Sequence, residues 1–207
     1  MPVKAYFPTY LYSDYLMKDS RSNFKLKKEL LKDVKKIHQH DDEGKKWSEE
    51  NYPCGYTSYS SFSEIHLINS NFASFEKEVS KHVQKFARKL DYELSDQKLE
   101  ISNSWINIQG KYAQHSLHLH PQSVISGTYY LQCPKACGSL KFEDPRLSKM
   151  MHAPARKEHP HISNQHFLHF EPVEGYLILF ESWLRHEVEA NMSNKERISV
   201  SFNYSVS

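Results

Sequence analysis

From Leu99 onward, polar and apolar residues alternate at every second position, the period of an extended strand with two unlike faces. Between Ile101 and Gln109, the side chains of Asn103, Trp105, Asn107 and Gln109 fall on one face, and Ile106 and Ile108 on the other. Between Val124 and Gln132, Ser126, Thr128 and Tyr130 oppose Ile125, Tyr129 and Leu131. Near the end, Arg197, Ser199, Ser201 and Asn203 oppose Ile198, Val200, Phe202 and Tyr204. A polar strand face ordinarily meets solvent. Here the strands adjoin a histidine cluster and a run of buried type, Tyr176-Leu177-Ile178-Leu179-Phe180. That context predicts a barrel whose polar faces enclose a ligand cavity and whose apolar faces pack outward against helices.

The first half has a different period. Leu26, Leu30, Val34 and Ile37 recur at helical spacing from Asn23 to about Gln39, with Lys25, Lys28, Lys32, Lys35 and Lys36 on other faces. Those lysines are interleaved with Glu29 and Asp33, so they read as a solvated face. Asp41-Asp42-Glu43-Gly44 is expected to close this helix with a polar turn. A second helix is expected from just after Asn71 towards Leu90, because Phe72, Phe75, Val79, Val83 and Phe86 mark one face, suited to packing on a sheet. The intervening Asn51 to Ser63 stretch, rich in Tyr and Ser, reads as a loop near the mouth of a site. With 207 residues and 39% hydrophobic content, the chain suits one domain over 1–207, its helical part covering about 1–98 and its β part about 99–207.

Twenty-seven Lys and Arg against 25 Asp and Glu leave a net charge of only +2, so the charge balance calls for no nucleic acid or anionic membrane, and neither is expected as a partner. No apolar segment follows Met1, and the chain is expected to be cytoplasmic. Of the cysteines, Cys133 and Cys137 bracket Pro134-Lys135-Ala136, but two thiols without a second pair make a poor zinc site and read as reduced.

The chemistry concentrates in Gln114-His115-Ser116-Leu117-His118-Leu119-His120-Pro121. On an extended stretch His118 and His120 point to the same side, so two imidazoles can reach one metal ion. His-X-His alone is a weak motif in a chain with 13 histidines, and a third ligand must come from elsewhere. His186 directly follows the buried-type strand, and Arg197 and Ser199 beyond it share one strand face, fit to hold a carboxylate by a charge-assisted pair and a hydroxyl. His115, His152, His159, His161, His166 and His169 read as loop and surface residues, the long stretch from Met150 to Phe170 as an insertion or lid, and Asp144 as structural.

In order along the chain these segments resemble the 2-oxoglutarate/Fe(II) oxygenase superfamily, in particular its prolyl-4-hydroxylase-like branch. The resemblance is strongest from Trp105 to Tyr204. It rests on His118 to Ser123, Ser126-Gly127-Thr128-Tyr129-Tyr130-Leu131, Gly138 to Arg146, Pro172 to Phe180, His186, and Arg197-Ile198-Ser199-Val200-Ser201-Phe202-Asn203. It implies a double-stranded β-helix (jelly roll) with helices on its outer sheet face, and Fe(II) held by His118, His120 and His186. His120 stands where most of the superfamily has Asp or Glu, a departure from two His and one carboxylate. It further implies 2-oxoglutarate as co-substrate, its distal carboxylate bound by Arg197 with Ser199 and Tyr130 assisting, and Thr128 and Asn107 in the pocket. The implied reaction is hydroxylation of an unidentified substrate with release of succinate and carbon dioxide. Two rivals stay open: a cupin-like three-histidine dioxygenase needing no keto acid, against which Arg197 and Ser199 speak, and a non-catalytic binding module on a degenerate barrel.

Overall fold

The computed structural model describes residues 3–207. Its helices are α1 (Ser20–His40), α2 (Asp42–Asn51) and α3 (Ser70–Lys89). Its strands are β1 (Leu11–Tyr15), β2 (Gly55–Thr57), β3 (Leu99–Gln109), β4 (His115–His118), β5 (Ile125–Gln132), β6 (Leu140–Glu143), β7 (Phe167–Phe170), β8 (Tyr176–Glu181), β9 (His186–Val188) and β10 (Arg197–Val206). They form two antiparallel sheets, one ordered β1-β8-β5-β10-β3-β2 and the other β4-β9-β6-β7.

The alternation predicted for three strands is what the larger sheet uses. Ile106, Ile108, Ile125, Tyr129, Ile198, Val200, Phe202 and Tyr204 pack with Leu30 and Val34 of α1 and with Phe72, Phe75, Val79, Val83 and Phe86 of α3. A smaller cluster of Tyr130, Leu140, Phe142, Ile178, Phe180 and Leu184 draws side chains from both sheets. Between β3 and β10 the register passes from Asn203↔Asn103 to Tyr204↔Ile101, leaving Ser102 as an extra residue in a β-bulge.

Both predicted helices are present, each a few residues longer than its apolar stripe. Asp19 caps α1 by accepting from Ser22 N, and Asn69 caps α3 by accepting from Asn71 N and Phe72 N. The acidic stretch expected to be a turn is the start of α2. Asp41 ends α1 and caps α2, its carboxylate accepting from Gly44 N at 2.9 Å, and Asp42 and Glu43 fill the positive first turn. Tyr56 Oη and Ser61 Oγ also donate to that buried carboxylate. Gly44 is there for space, since a Cβ would stand 2.0 Å from Asp41 Oδ2. The stretch read as a loop after residue 51 contains β2, which pairs with β3. Of the insertion from Met150 to Phe170, the last four residues form β7 and most of the rest is exposed.

Phe75 is 1% exposed and meets the rings of Tyr129 at 5.4 Å and Phe202 at 5.9 Å, so it seats α3 on the sheet. Phe75→Ala is expected to cost about 3–5 kcal/mol. Denaturant unfolding checks this: the midpoint should fall with little change in slope.

Candidate active site

The polar faces of β3, β5 and β10 line a cavity of about 650 Å³, with His118, Leu140, His186 and Val188 from the smaller sheet also in its wall. Two antiparallel strands bring the histidines together, because β4 and β9 pair with His118 opposite His186. His120 follows β4, and its backbone N–H donates to Ser182 O at 3.0 Å. The ring centroids of His118 and His186 are 4.3 Å apart, those of His120 and His186 4.9 Å, and those of His118 and His120 5.2 Å. One nitrogen from each lies within 4.8 Å of the others, so the three could hold a metal ion.

The Nδ1 of each ring is already engaged. His118 Nδ1 bonds Ser116 O at 2.6 Å and His186 Nδ1 bonds Leu184 O at 2.9 Å, each reaching a carbonyl two residues back. His120 Nδ1 lies 2.7 Å from both Asn203 Oδ1 and Ser126 Oγ. A carbonyl or amide oxygen accepts only from N–H, so these bonds put the proton on Nδ1 and leave the Nε2 lone pairs free. Burial, reinforced by His118, pushes His186 down to about 3 and His120 to about 4, so both rings are neutral near pH 7, the form a metal needs.

At the other end of the cavity Arg197 is 2% exposed, and its Nε and Nη1 have no hydrogen-bond partner. The Tyr52 and Tyr130 hydroxyls, Gln109 Nε2 and Asn107 Oδ1 are also buried without partners. Arg197 Cζ lies 5.2 Å from the Tyr130 ring. Burial pushes the Tyr130 hydroxyl up to about 12 although Arg197 pulls the other way, so it is a phenol that can donate. Arg197, Ser199, Thr128 and Asn107 line the cavity, whereas Tyr130 sits behind Arg197 in the smaller apolar cluster. Thr128 is the least free of them: its hydroxyl is 3.5 Å from both Val200 O and Ser201 Oγ.

Two residues not singled out for a role, Tyr52 and Gln109, belong to this end. Gln109 was visible as part of the polar face of β3, but nothing in the sequence marks Tyr52. His115 is not a loop residue: it lies in β4, is stacked on Tyr52 at 4.3 Å and lines the cavity. The remaining histidines singled out, and Asp144, do not line it; Asp144 holds Arg146 by paired bonds of 2.9 and 2.8 Å.

A family model described as "Putative 2OG-Fe(II) oxygenase" matches residues 103–203, the segment that carries the histidines and Arg197. That segment belongs to the 2OG-Fe(II) oxygenases. The chain is thus a 2-oxoglutarate-dependent dioxygenase that uses iron. No curated protein sequence matches it. Among solved structures, the oxygenase is similar in fold to a prolyl-4-hydroxylase from Pseudomonas putida, at 13% identity and a TM-score of 0.60 over 95% of this chain and 92% of that one. It is similar to HygX from Streptomyces hygroscopicus, determined with nickel and 2-oxoglutarate bound, at 10% identity and a TM-score of 0.63 over 95% and 83%. A viral collagen prolyl hydroxylase from Paramecium Bursaria Chlorella virus-1 shares 10% identity and a TM-score of 0.55 over 96% and 97%. No helix among the described residues is long and apolar enough to cross a membrane.

In this oxygenase the unpaired buried guanidinium is a stability cost, since each unsatisfied buried polar group costs about 1–3 kcal/mol. Arg197→Met, which replaces it with an apolar chain of comparable length, is therefore expected to raise the ligand-free unfolding free energy by about 1 kcal/mol or more. Urea unfolding measures this, and a clear loss of stability would mean that Arg197 holds the fold together.

Proposed function

We propose that residues 1–207 work as one oxygenase domain, a double-stranded β-helix with the helices on its outer face, which hydroxylates an uncharacterised substrate. The observation that carries this reading is one cavity holding three imidazoles with free Nε2 atoms and a buried arginine whose Nε and Nη1 have no partner. His118, His120 and His186 would hold Fe(II), and the orphaned donors of Arg197 fit a carboxylate of 2-oxoglutarate. When bound, iron would supply the oxygen chemistry, in which one atom of dioxygen goes to succinate, formed with carbon dioxide from the keto acid, and the other to the hydroxyl group on the substrate.

The chain's own residues position and protect. Arg197 meets the distal carboxylate as a charge that cannot be deprotonated, with Ser199 and Tyr130 adding hydroxyls. Thr128 and Asn107 border the space between that carboxylate and the histidines. Ser116 O, Leu184 O and the Asn203 amide hold the three rings in one tautomer. The Phe180 ring, 4.5 Å from that of His186, keeps water from its flank. Three imidazole ligands would leave the full +2 charge of the metal to attract the dianionic keto acid, where a carboxylate ligand would leave +1. An enzyme that used no keto acid would have no need of a buried arginine at this place.

Three alanine variants test the triad under mild chelation. His118→Ala, His120→Ala and His186→Ala should each lose iron; wild-type metal retention by His120→Ala alone would show that it is not a ligand. Asn203→Ala, which frees the His120 ring, should weaken iron binding about 10–100-fold. Arg197→Ala should keep iron but weaken 2-oxoglutarate by on the order of 1.5–3 kcal/mol, more than tenfold in Kd, read by titration of the iron-loaded protein. Unchanged keto-acid affinity would remove the arginine from the reading.

A further inference from the structure

The unpartnered polar atoms in this cavity are sorted by kind along its length. Around Arg197 they donate: Nε and Nη1 of Arg197 and Nε2 of Gln109, with the Tyr52 hydroxyl free to do the same. Further along β3 they accept, being Oδ1 of Asn107 and Oδ1 of Asn103. The Asn107 amide is oriented, since its Nδ2 donates to Ser201 Oγ at 3.0 Å and only the oxygen remains. An acceptor oxygen repels a carboxylate or phosphate and leaves its oxygens unpaired, so the Asn107 position cannot take an anion as the Arg197 end can.

Between the two asparagines, on the same face of β3, stands Trp105. It is 8% exposed, with its ring 5.0 Å from Tyr59 and 5.9 Å from His120, and so offers an aromatic wall beside the histidines. The lining beyond it is Ser102, Gln122, Ser123 and Ser205, neutral hydroxyls and an amide. Arg197 is the one Lys, Arg, Asp or Glu among the described residues that line the cavity. Apart from the metal itself, an anionic substrate would find no Lys or Arg here besides Arg197, and a cationic one no carboxylate.

We infer that the primary substrate is an uncharged molecule that offers N–H or O–H donors to the amide oxygens of Asn103 and Asn107 and lays a carbon face on Trp105. This rests on the function proposed above and specifies the substrate class for it. Asn103 and Asn107 lie roughly 13 Å apart along the strand, so the molecule is elongated. A cavity of about 650 Å³ has room for such a ligand beside the co-substrate. Asn103 and Trp105 are then specificity residues, and the Asn107 oxygen serves the substrate rather than the keto acid.

Calorimetric titration of the protein loaded with Fe(II) under anaerobic conditions tests this without turnover. 2-Oxoglutarate is added first. Separate arms then receive neutral disaccharides, which bring hydroxyl donors, or N-acetylated and C-amidated dipeptides, which bring amide donors, each beside counterparts bearing one carboxylate or one amine. At least one neutral arm should bind, and bind about tenfold or more tightly than its charged counterparts. Asn103→Leu should weaken that binding about tenfold while 2-oxoglutarate affinity stays within about twofold. Asn103→Asp, which keeps an acceptor and adds a negative charge, should instead favour the amine counterpart. A charged member binding as tightly as its neutral partner, no neutral member binding, or Asn103→Leu leaving neutral affinity unchanged would overturn the inference and leave the co-substrate reading standing. Absence of 2-oxoglutarate binding in the first titration would remove both.

Discussion

Strand β10 is hydrogen-bonded on both sides, and its register sets the layers of the site. Arg197 lies beside Gln109, Ser199 between Asn107 and Tyr130, Ser201 between Trp105 and Thr128, and Asn203 between Asn103 and Ser126. With a side-chain period of two, a slip of one residue would turn Ile198, Val200 and Phe202 into the cavity and Arg197 into the apolar core. What prevents the slip is the packing of those apolar residues against α1 and α3. The polar arrangement is thus downstream of ordinary core packing, and the residues that secure it are not the ones that line the cavity.

One poorly solvated space has opposite effects on its two kinds of basic side chain. It drives His120 and His186 to their neutral form, because an imidazole can release its proton when water is withdrawn. It leaves Arg197 charged, because a guanidinium cannot. Neutral nitrogen donors and a fixed positive charge therefore coexist in one cavity without a carboxylate to separate their roles. Tyr130 follows the same rule in reverse, kept as a neutral phenol by burial.

Much of this was legible from residue spacing. The faces of β3, β5 and β10 follow from alternation alone, and the long helices from stripes such as Leu30-Val34 and Phe75-Val79. His118 and His120 are two apart, which aims both to one side, but that His186 joins them depends on the pairing of β4 with β9, remote in sequence. Other features were hidden for physical reasons. The start of α2 depends on a carboxylate at Asp41 buried under Tyr56 and Ser61, which no local pattern announces. Short strands such as β1 and β2 exist through partners far away in the chain. Tyr52 and Gln109 are unremarkable as residue types, and only their unsatisfied burial distinguishes them.

The bulge at Ser102 resolves an oddity of β3. Leu99 and Ile101 sit at odd positions like Asn103 and Trp105, yet they pack on the helix side with the even-numbered Ile106 and Ile108. The extra residue shifts the phase of the strand, so that Ser102 and Asn103, adjacent in sequence, both line the cavity. Losing Ser102 would leave Ile101 opposite Tyr204 and Leu99 opposite Val206 on the helix side, but it would remove the bulge, straighten the strand and take the Ser102 hydroxyl from the mouth. A change of chain length here remodels the entrance while every pairing from Asn103 to Gln109 with β10 stays as it is. In a lineage exploring new substrates, this is a place where an insertion or deletion, rather than an exchange of side chains, can alter selectivity and leave the buried arginine untouched.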